Sequence, residues 1–358
     1  LVRAAVALAL PFVDQVWQVY VLIFVLQSAS ASFTPTFQAT IPDVLTEEQD
    51  YTRALSLSRL AYDLESVVSP MLAAALLTVI SFHTLFGGTV IGFLASAALV
   101  VSVVLPSPKP TERRGIYDRT TRGMRIYLVT PRLRGLLALN LAAAAASAMV
   151  IVNTVVLVQG VFGLSQKATA LALAAFGGGS MIAAFVLPRL LDNIPDRRAM
   201  TVGASALVLC LIAGSALPSY ALLLPLWFVL GFGYSLTQTP SGRLLRRSSQ
   251  PEDRPALFAA QFALSHACWL ITYPVAGWVG AEAGMSVAFL LLAAIAAAAV
   301  IIAVTVWPAA DPDEIEHVHG GLAPGHPHLT NAEATNEGFR HAHVFVIDSH
   351  HPEWPRPA

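Results

Sequence analysis

Charge is scarce in this 358-residue chain: Asp, Glu, Lys and Arg make up 12% of it, against 56% hydrophobic residues. A soluble domain carries roughly a quarter charged residues. Together with a mean hydropathy of +0.65, the shortage excludes a single water-exposed globule and makes lipid the solvent for much of the surface. The net charge of −1 leaves no dominant basic face and argues against a nucleic-acid partner. Cysteine is nearly missing. Cys210 and Cys268 both sit in apolar runs and read as small packing residues, not as a disulfide or redox pair. Enzyme signatures are lacking too: there is no nucleophile–base constellation and no His-Glu-x-x-His spacing. Gly177-Gly178-Gly179 has no Lys-Ser/Thr behind it and reads as a packing or bending site rather than a phosphate loop. The expectation is a protein that is not an enzyme.

What the chain has is apolar runs of bilayer length. A helix rising about 1.5 Å per residue needs roughly 20 apolar residues to cross the hydrocarbon core. Nine runs qualify, at 17–36, 54–80, 84–105, 134–159, 168–188, 199–217, 219–240, 256–279 and 285–307. The second carries Arg59, Asp63 and Glu65 and is the most polar. Residues 1–13 are too short to cross and read as the end of a helix. Alternate connections, at 37–53, 106–133, 189–198 and 241–255, hold fourteen of the nineteen arginines, while those between them hold only Lys167. Positive charge resists translocation, so these basic loops, and with them the C-terminal tail, are expected in the cytoplasm.

A shift of about 204 residues aligns several landmarks. Phe24-Val25-Leu26 falls on Phe228-Val229-Leu230, Thr34-Pro35 falls next to Thr239-Pro240, Glu48 meets Glu252 and Pro70 meets Pro274. Same-sense repeats of six spans are one way to build a secondary transporter. The second repeat has six spans and the first has three and a part, so the chain reads as lacking helices 1 and 2 and part of helix 3.

With the repeat go degraded motifs. Asp192, Arg197 and Arg198 are similar to a Gly-x-x-x-Asp-Arg-x-x-Arg-Arg loop, with Pro188 at the glycine. Ser69-Pro70 with Ala73-Ala74 is similar to Gly-x-x-x-Gly-Pro-x-x-Gly-Gly, with Glu65 at the first glycine. On these features the chain resembles the efflux branch, for drugs and metals, of the major facilitator superfamily. The resemblance implies an all-α membrane protein of two six-helix bundles. Residues 1–105 would form the N-terminal bundle, 106–133 a basic cytoplasmic central loop, 134–307 the C-terminal bundle (helices 7–12) and 308–358 a cytoplasmic tail. It also implies a multi-pass protein of the cell's inner membrane that works by alternating access. Protons would be the coupling ion, and Asp192, Arg197 and Arg198 would be a cytoplasmic latch.

Charges inside a span cost on the order of 2.5–3.5 kcal/mol each. Arg59 and Asp63 are four apart and share a helix face, while Glu65 points about 200° away from Asp63. Asp63 or Glu65 is the expected proton carrier, with Arg59 tuning Asp63. A purely structural ion pair is the competing reading. Candidates for the substrate cavity are Gln27, Ser30, Thr34, Asn140, Asn153, Tyr234 and Gln238. Such amides and hydroxyls also serve as interhelical glue.

Eight of the ten histidines fall in the last 42 residues, as His317/His319, His326/His328, His341/His343 and His350/His351. In an extended chain, residues two apart face one way. A His-x-His pair therefore offers two imidazoles to one ion such as nickel, cobalt, zinc or copper(II). Asp311, Asp313, Glu314 and Glu316 add negative charge. Gly and Pro between the pairs favour a loose chain, although Val344-Phe345-Val346-Ile347 and Trp354 are apolar enough to dock. The tail resembles the His-rich tails of nickel-resistance exporters in the same superfamily. No cofactor is expected apart from a divalent metal held by the tail.

Three functions compete: proton-coupled efflux of small molecules, export of a divalent metal collected by the tail, and a non-transporting membrane sensor. The expected partners are the lipid bilayer, a small-molecule or ion substrate, and protons.

Overall fold

The computed structural model describes residues 1–77, 79–103, 116–312, 314–323, 325–330 and 332–355. The helices run α1 Val2–Ala9, α2 Val16–Val44, α3 Glu48–Leu76, α4 Phe82–Ser102, α5 Ile116–Val129, α6 Pro131–Val155 and α7 Gln166–Leu191. They continue as α8 Asp196–Gly214, α9 Tyr220–Gln238, α10 Ser241–Arg247, α11 Arg254–Glu282 and α12 Met285–Val306. Three strands follow: β1 Glu314–His319, β2 Glu333–Thr335 and β3 Gly338–Val344.

Among the described residues, nine helices correspond to the nine apolar runs, and eight are long and apolar enough to cross a membrane. The exception is α3, long enough at 29 residues but diluted by its charges. Its acidic first turn, Glu48 and Asp50, complements the helix dipole and starts the helix before the apolar run begins. Helix α2 likewise outruns its hydropathy, reaching Val44 past Pro35 and Pro42. Ser28, Ser32, Thr36 and Thr40 each donate to the carbonyl four residues back. Their hydroxyls are thereby satisfied inside the helix, so polar residues do not end it.

The C-terminal helices pack around α6, the most buried of them. Its Thr154 Oγ1 accepts from Trp227 Nε1 at 2.8 Å, and Trp227 meets Phe289 edge-on at 6.1 Å. Of the glycine triplet, Gly179 is a packing site: a Cβ on it would lie 1.9 Å from the Phe228 carbonyl oxygen, and one on Gly231 of α9 would lie 1.8 Å from that of Phe176. Only glycine lets α7 and α9 come this close. The N-terminal helices meet the C-terminal ones where α3 packs on α7 and α2 on α11.

Two regions differ from the sequence reading. Of the central segment 106–133, residues 106–115, with Pro106, Pro108, Lys109, Pro110, Arg113 and Arg114, lie outside the described residues; the rest is not a loop but α5. It is clamped to the start of α11, with Arg122 donating twice to Asp253 at 2.5 and 2.7 Å. Gly123 permits the contact, since a Cβ there would sit 2.0 Å from the Ala256 oxygen.

The tail is not a loose chain. β1, β3 and β2 form an antiparallel sheet in that order, with His317 opposite His341. Beyond β3, Phe345, Val346 and Ile347 are buried; Phe345 and Ile347 share a core with Leu133, Leu136 and Trp307 of the helical body, and Trp354 packs against it. That apolar anchor outweighs the flexibility of the intervening Gly and Pro. Asp313 lies outside the described residues.

Candidate functional site

Three polar assemblies stand out, one between the helix sets, one at the end where the basic loops gather, and one in the tail.

Between the sets, Arg59 and Asp63 of α3 form the expected pair, with Arg59 Nη2 2.7 Å from Asp63 Oδ1 and Nε 3.2 Å from Oδ2. The pair does not close within α3. Ser180 Oγ of α7 donates to Asp63 Oδ2 at 2.5 Å and accepts from Arg59 Nε at 3.3 Å. The guanidinium also lies 4.7 Å from the Tyr234 ring centroid on α9 and 5.4 Å from that of Tyr62. Asp63 is 3% exposed. The pair is therefore a buried link from one helix set to the other. Glu65 points away and is exposed.

The cavity candidates divide. Tyr234 faces Arg59 and Phe176. Gln238, four residues on, has a buried Oε1 without a hydrogen-bond partner. Asn140 is wholly buried in α6. Asn153 acts as glue, donating to the Ala276 carbonyl of α11 at 3.0 Å. Ser30 donates to its own helix at Leu26, Thr34 is half-buried, and Gln27 is exposed.

At the basic end, the carboxylate–arginine contacts expected of Asp192, Arg197 and Arg198 form between other residues. Asp192 and Arg198 are exposed, and Arg197 caps α12 by donating to the carbonyls of Trp307 and Val304 at 3.0 Å. The contacts that join the two helix sets come from the α9–α11 connection. Arg243 of α10 pairs with Glu48 at 2.5 Å and with the buried Asp196 at 3.2 Å. It also donates to Thr52 Oγ1 at 3.0 Å. Arg246 donates to the Thr46 carbonyl, and Arg254 pairs with Asp43. Sequence reasoning saw these arginines as topology signals and missed them as bridges between the helix sets, because their partners lie about 200 residues away.

In the tail, His317 and His319 alternate on β1, and His341 and His343 on the antiparallel β3, so each pair projects from one face. The turn at Pro327–Leu329 adds His328, and the segment after Ile347 adds His351. Each of these six rings has four others as neighbours, at centroid distances of 4.7–5.1 Å. The one left over for each is its opposite: His317 and His328, His319 and His343, His341 and His351. That is the vertex pattern of an octahedron. His326 and His350 stay outside it, His350 stacking on His328 at 5.2 Å.

The nitrogens agree with the rings. His317 and His328 Nε2 each lie 3.1–3.2 Å from the Nε2 of both His319 and His351. With metal–nitrogen bonds of about 2.1 Å, neighbouring ligands sit about 3.0 Å apart in an octahedron and about 3.4 Å apart in a tetrahedron. The opposite nitrogen is claimed elsewhere: His317 Nδ1 by the Ile315 carbonyl (2.9 Å), His343 Nδ1 by that of Val344 (2.8 Å) and His351 Nδ1 by Asp348 (2.9 Å). Such partners fix the tautomer and aim the Nε2 lone pair inward. His341 and His343 Nε2 are buried without hydrogen-bond partners. Burial and then the neighbouring imidazoles push His319, His328 and His341 down to about 4, keeping them neutral as metal ligands must be. Asp348 is the residue the sequence hid, two positions before the last His pair.

The comparisons with known proteins bear on the helices. Among curated proteins none matches this chain. The fold is similar to that of a bacterial homologue of the iron transporter ferroportin, solved in an outward-facing state. The TM-score is 0.62 at 17% identity, over 86% of this chain and 80% of that one. A family model described as Major Facilitator Superfamily matches residues 1–215 and, again, 136–327. With that model covering the helical body from its first residue into the tail, and the helices arranged as in a solved transporter homologue, the chain belongs to the Major Facilitator Superfamily.

Proposed function

We propose that this transporter exports a divalent transition-metal ion from the cytoplasm by alternating access, and that its tail is the cytoplasmic domain that collects the ion. The octahedral set of six imidazoles carries this reading. Zinc favours four ligands and copper(II) a tetragonal field. Six imidazoles in an octahedral array, five of them with ligand nitrogens within 4.8 Å of one another, suit nickel(II), cobalt(II) or iron(II). The iron transporter in the name of the similar structure fits that class of cargo. The clustering of arginine on one end supports placing the latch and tail in the cytoplasm of a cell-membrane protein. Asp63 is the proposed proton carrier: protonation would remove its charge, release Ser180 and loosen α3 from α7.

The test is uptake of nickel(II), cobalt(II) or iron(II) into everted vesicles containing the protein, driven by an inside-acid gradient. Accumulation that disappears in Asp63→Asn is expected. No accumulation of any of the three would sink the metal reading.

A second reading, proton-coupled efflux of a small organic molecule, is favoured by a separate observation. Among the described residues the metal-ligating cluster lies in the tail, while Arg59, Tyr62, Phe176 and Tyr234 form an aromatic and cationic surface between the helix sets. Dye efflux that persists when residues 308–358 are deleted would favour it.

A further inference from the structure

The tail is wired to the latch. Asp311, between α12 and β1, accepts from Trp307 Nε1 at 2.9 Å and pairs with Arg247 at 3.3 Å and Arg132 at 3.4 Å. Arg247 also donates to the Asp311 carbonyl. It is the last residue of α10, the same two-turn helix whose Arg243 and Arg246 hold Glu48 and Thr46 of the other helix set. From the histidine cluster a second chain of contacts returns to the same place. His351 and His317 pack edge-on against Phe345 at 4.7 and 5.0 Å, Phe345 against Trp354 at 5.1 Å, and Trp354 lies under Arg132 at 5.0 Å. Helix α10 is thus pinned between the tail on one side and the N-terminal helices on the other.

We infer that an ion held by the six histidines stabilises the closed latch, and that opening the latch weakens the tail's hold on the ion. The inference rests on the metal reading of the tail and adds its regulation. With Nδ1 donating outward, His317 and His351 each turn an Nε2 lone pair toward the other at 3.1 Å. Lone pairs at that distance repel unless a cation lies between them. An ion therefore tightens the sheet's hold on Phe345, Trp354 and Asp311 against the body. Ordered tail, anchored Asp311, fixed Arg247 and closed latch form one physical sequence. Linkage makes it reciprocal: what the ion contributes to closing the latch is subtracted from its affinity when the latch opens. The tail would grip its ion while the basic end is shut and release it when the path between the helix sets opens there.

Hydrogen exchange on the full-length protein in lipid nanodiscs, with and without nickel(II), tests this. In the wild type, nickel is expected to slow exchange in 314–344 and, by about fivefold or more, a typical coupling, in 43–56 and 241–254. In Asp311→Asn the tail should still be protected by nickel while the latch segments lose their response; Arg247→Gln, which leaves the Asp311–Arg132 pair intact, should behave alike. In His317→Ala/His328→Ala neither region should respond. Tail protection without latch protection in the wild type would overturn the inference, as would a latch response that survives Asp311→Asn and Arg247→Gln or the loss of both histidines. A nickel response of this pattern in a protein that moves no metal would remove the transport reading and leave the coupling standing.

Discussion

The Arg59–Asp63 link and the histidine cluster are both buried polar assemblies, yet they solve opposite problems. The first closes on itself. A cation, a carboxylate, a serine hydroxyl and a tyrosine ring offer one another opposite charge, donors and acceptors across two helix sets. In the second, His317, His343 and His351 send their Nδ1 protons outward and turn Nε2 lone pairs inward among the other rings. A self-neutralising group holds parts together until a proton is added. A convergent set of lone pairs repels itself, and a cation at its centre turns that repulsion into attraction. The difference separates a link between helix sets from a convergent donor set, although both are clusters of buried polar residues.

The contrast can be broken at either end. The largest effect is expected from Asp63→Ala, which strands the Arg59 charge in a buried position at a cost of roughly 3–5 kcal/mol. A clear drop in melting temperature in detergent should follow, with Asp63→Asn falling less because the amide still accepts from Arg59. Equal melting for Asp63→Ala and the wild type would mean that the link is not closed. Next comes Asp348→Asn, which weakens the partner that orients His351. Nickel affinity measured by calorimetry should fall by about 10–100-fold, the usual range for such outer partners, with melting of the helical body unchanged. An unchanged affinity would show that His351 is not a ligand.

The smallest effect separates the two assemblies by pH. His319, His328 and His341 stay neutral down to about 4 while packed, against 6.5 for a free imidazole. Opening the tail therefore takes up protons below 6.5. Its packing is at full strength above that value and weakens as the pH falls toward 4. Hydrogen exchange without metal should rise in 314–344 between pH 7.5 and 5, after correction for the intrinsic rate. A tail equally protected at both values would contradict the burial of these rings.

Much of the fold was legible because hydropathy over 20 residues reports directly on which solvent a helix tolerates. Among the described residues all nine long helices lie where the apolar runs predict them, including α3 with three charges inside its run. What hydropathy cannot see is a polar helix that belongs to the body by pairing. Helix α5 is held by Arg122 and Asp253, 131 residues apart, and nothing local marks either. The Arg59–Asp63 spacing was readable as i, i+4, but Ser180 was not. The same limit hid the bridges at the basic end: Asp192, Arg197 and Arg198 resemble a loop motif, whereas the arginines that join the sets are chosen by which loops meet in space.

The tail divides in the same way. Alternation along an extended chain already put two imidazoles of each His-x-His pair on one side, because side chains in a strand repeat every two residues. Sequence alone thus determined a membrane-embedded helical body with one basic end and a tail rich in paired histidines. Only the tertiary structure decided that β1 and β3 bring two pairs together, that a turn and a terminal segment complete an octahedron, and that Asp311 ties it to α10. Solvent preference and strand periodicity are local and can be read along the chain. The convergence of six rings depends on register and docking between residues up to 34 positions apart in sequence, and these are set by packing that no single segment contains.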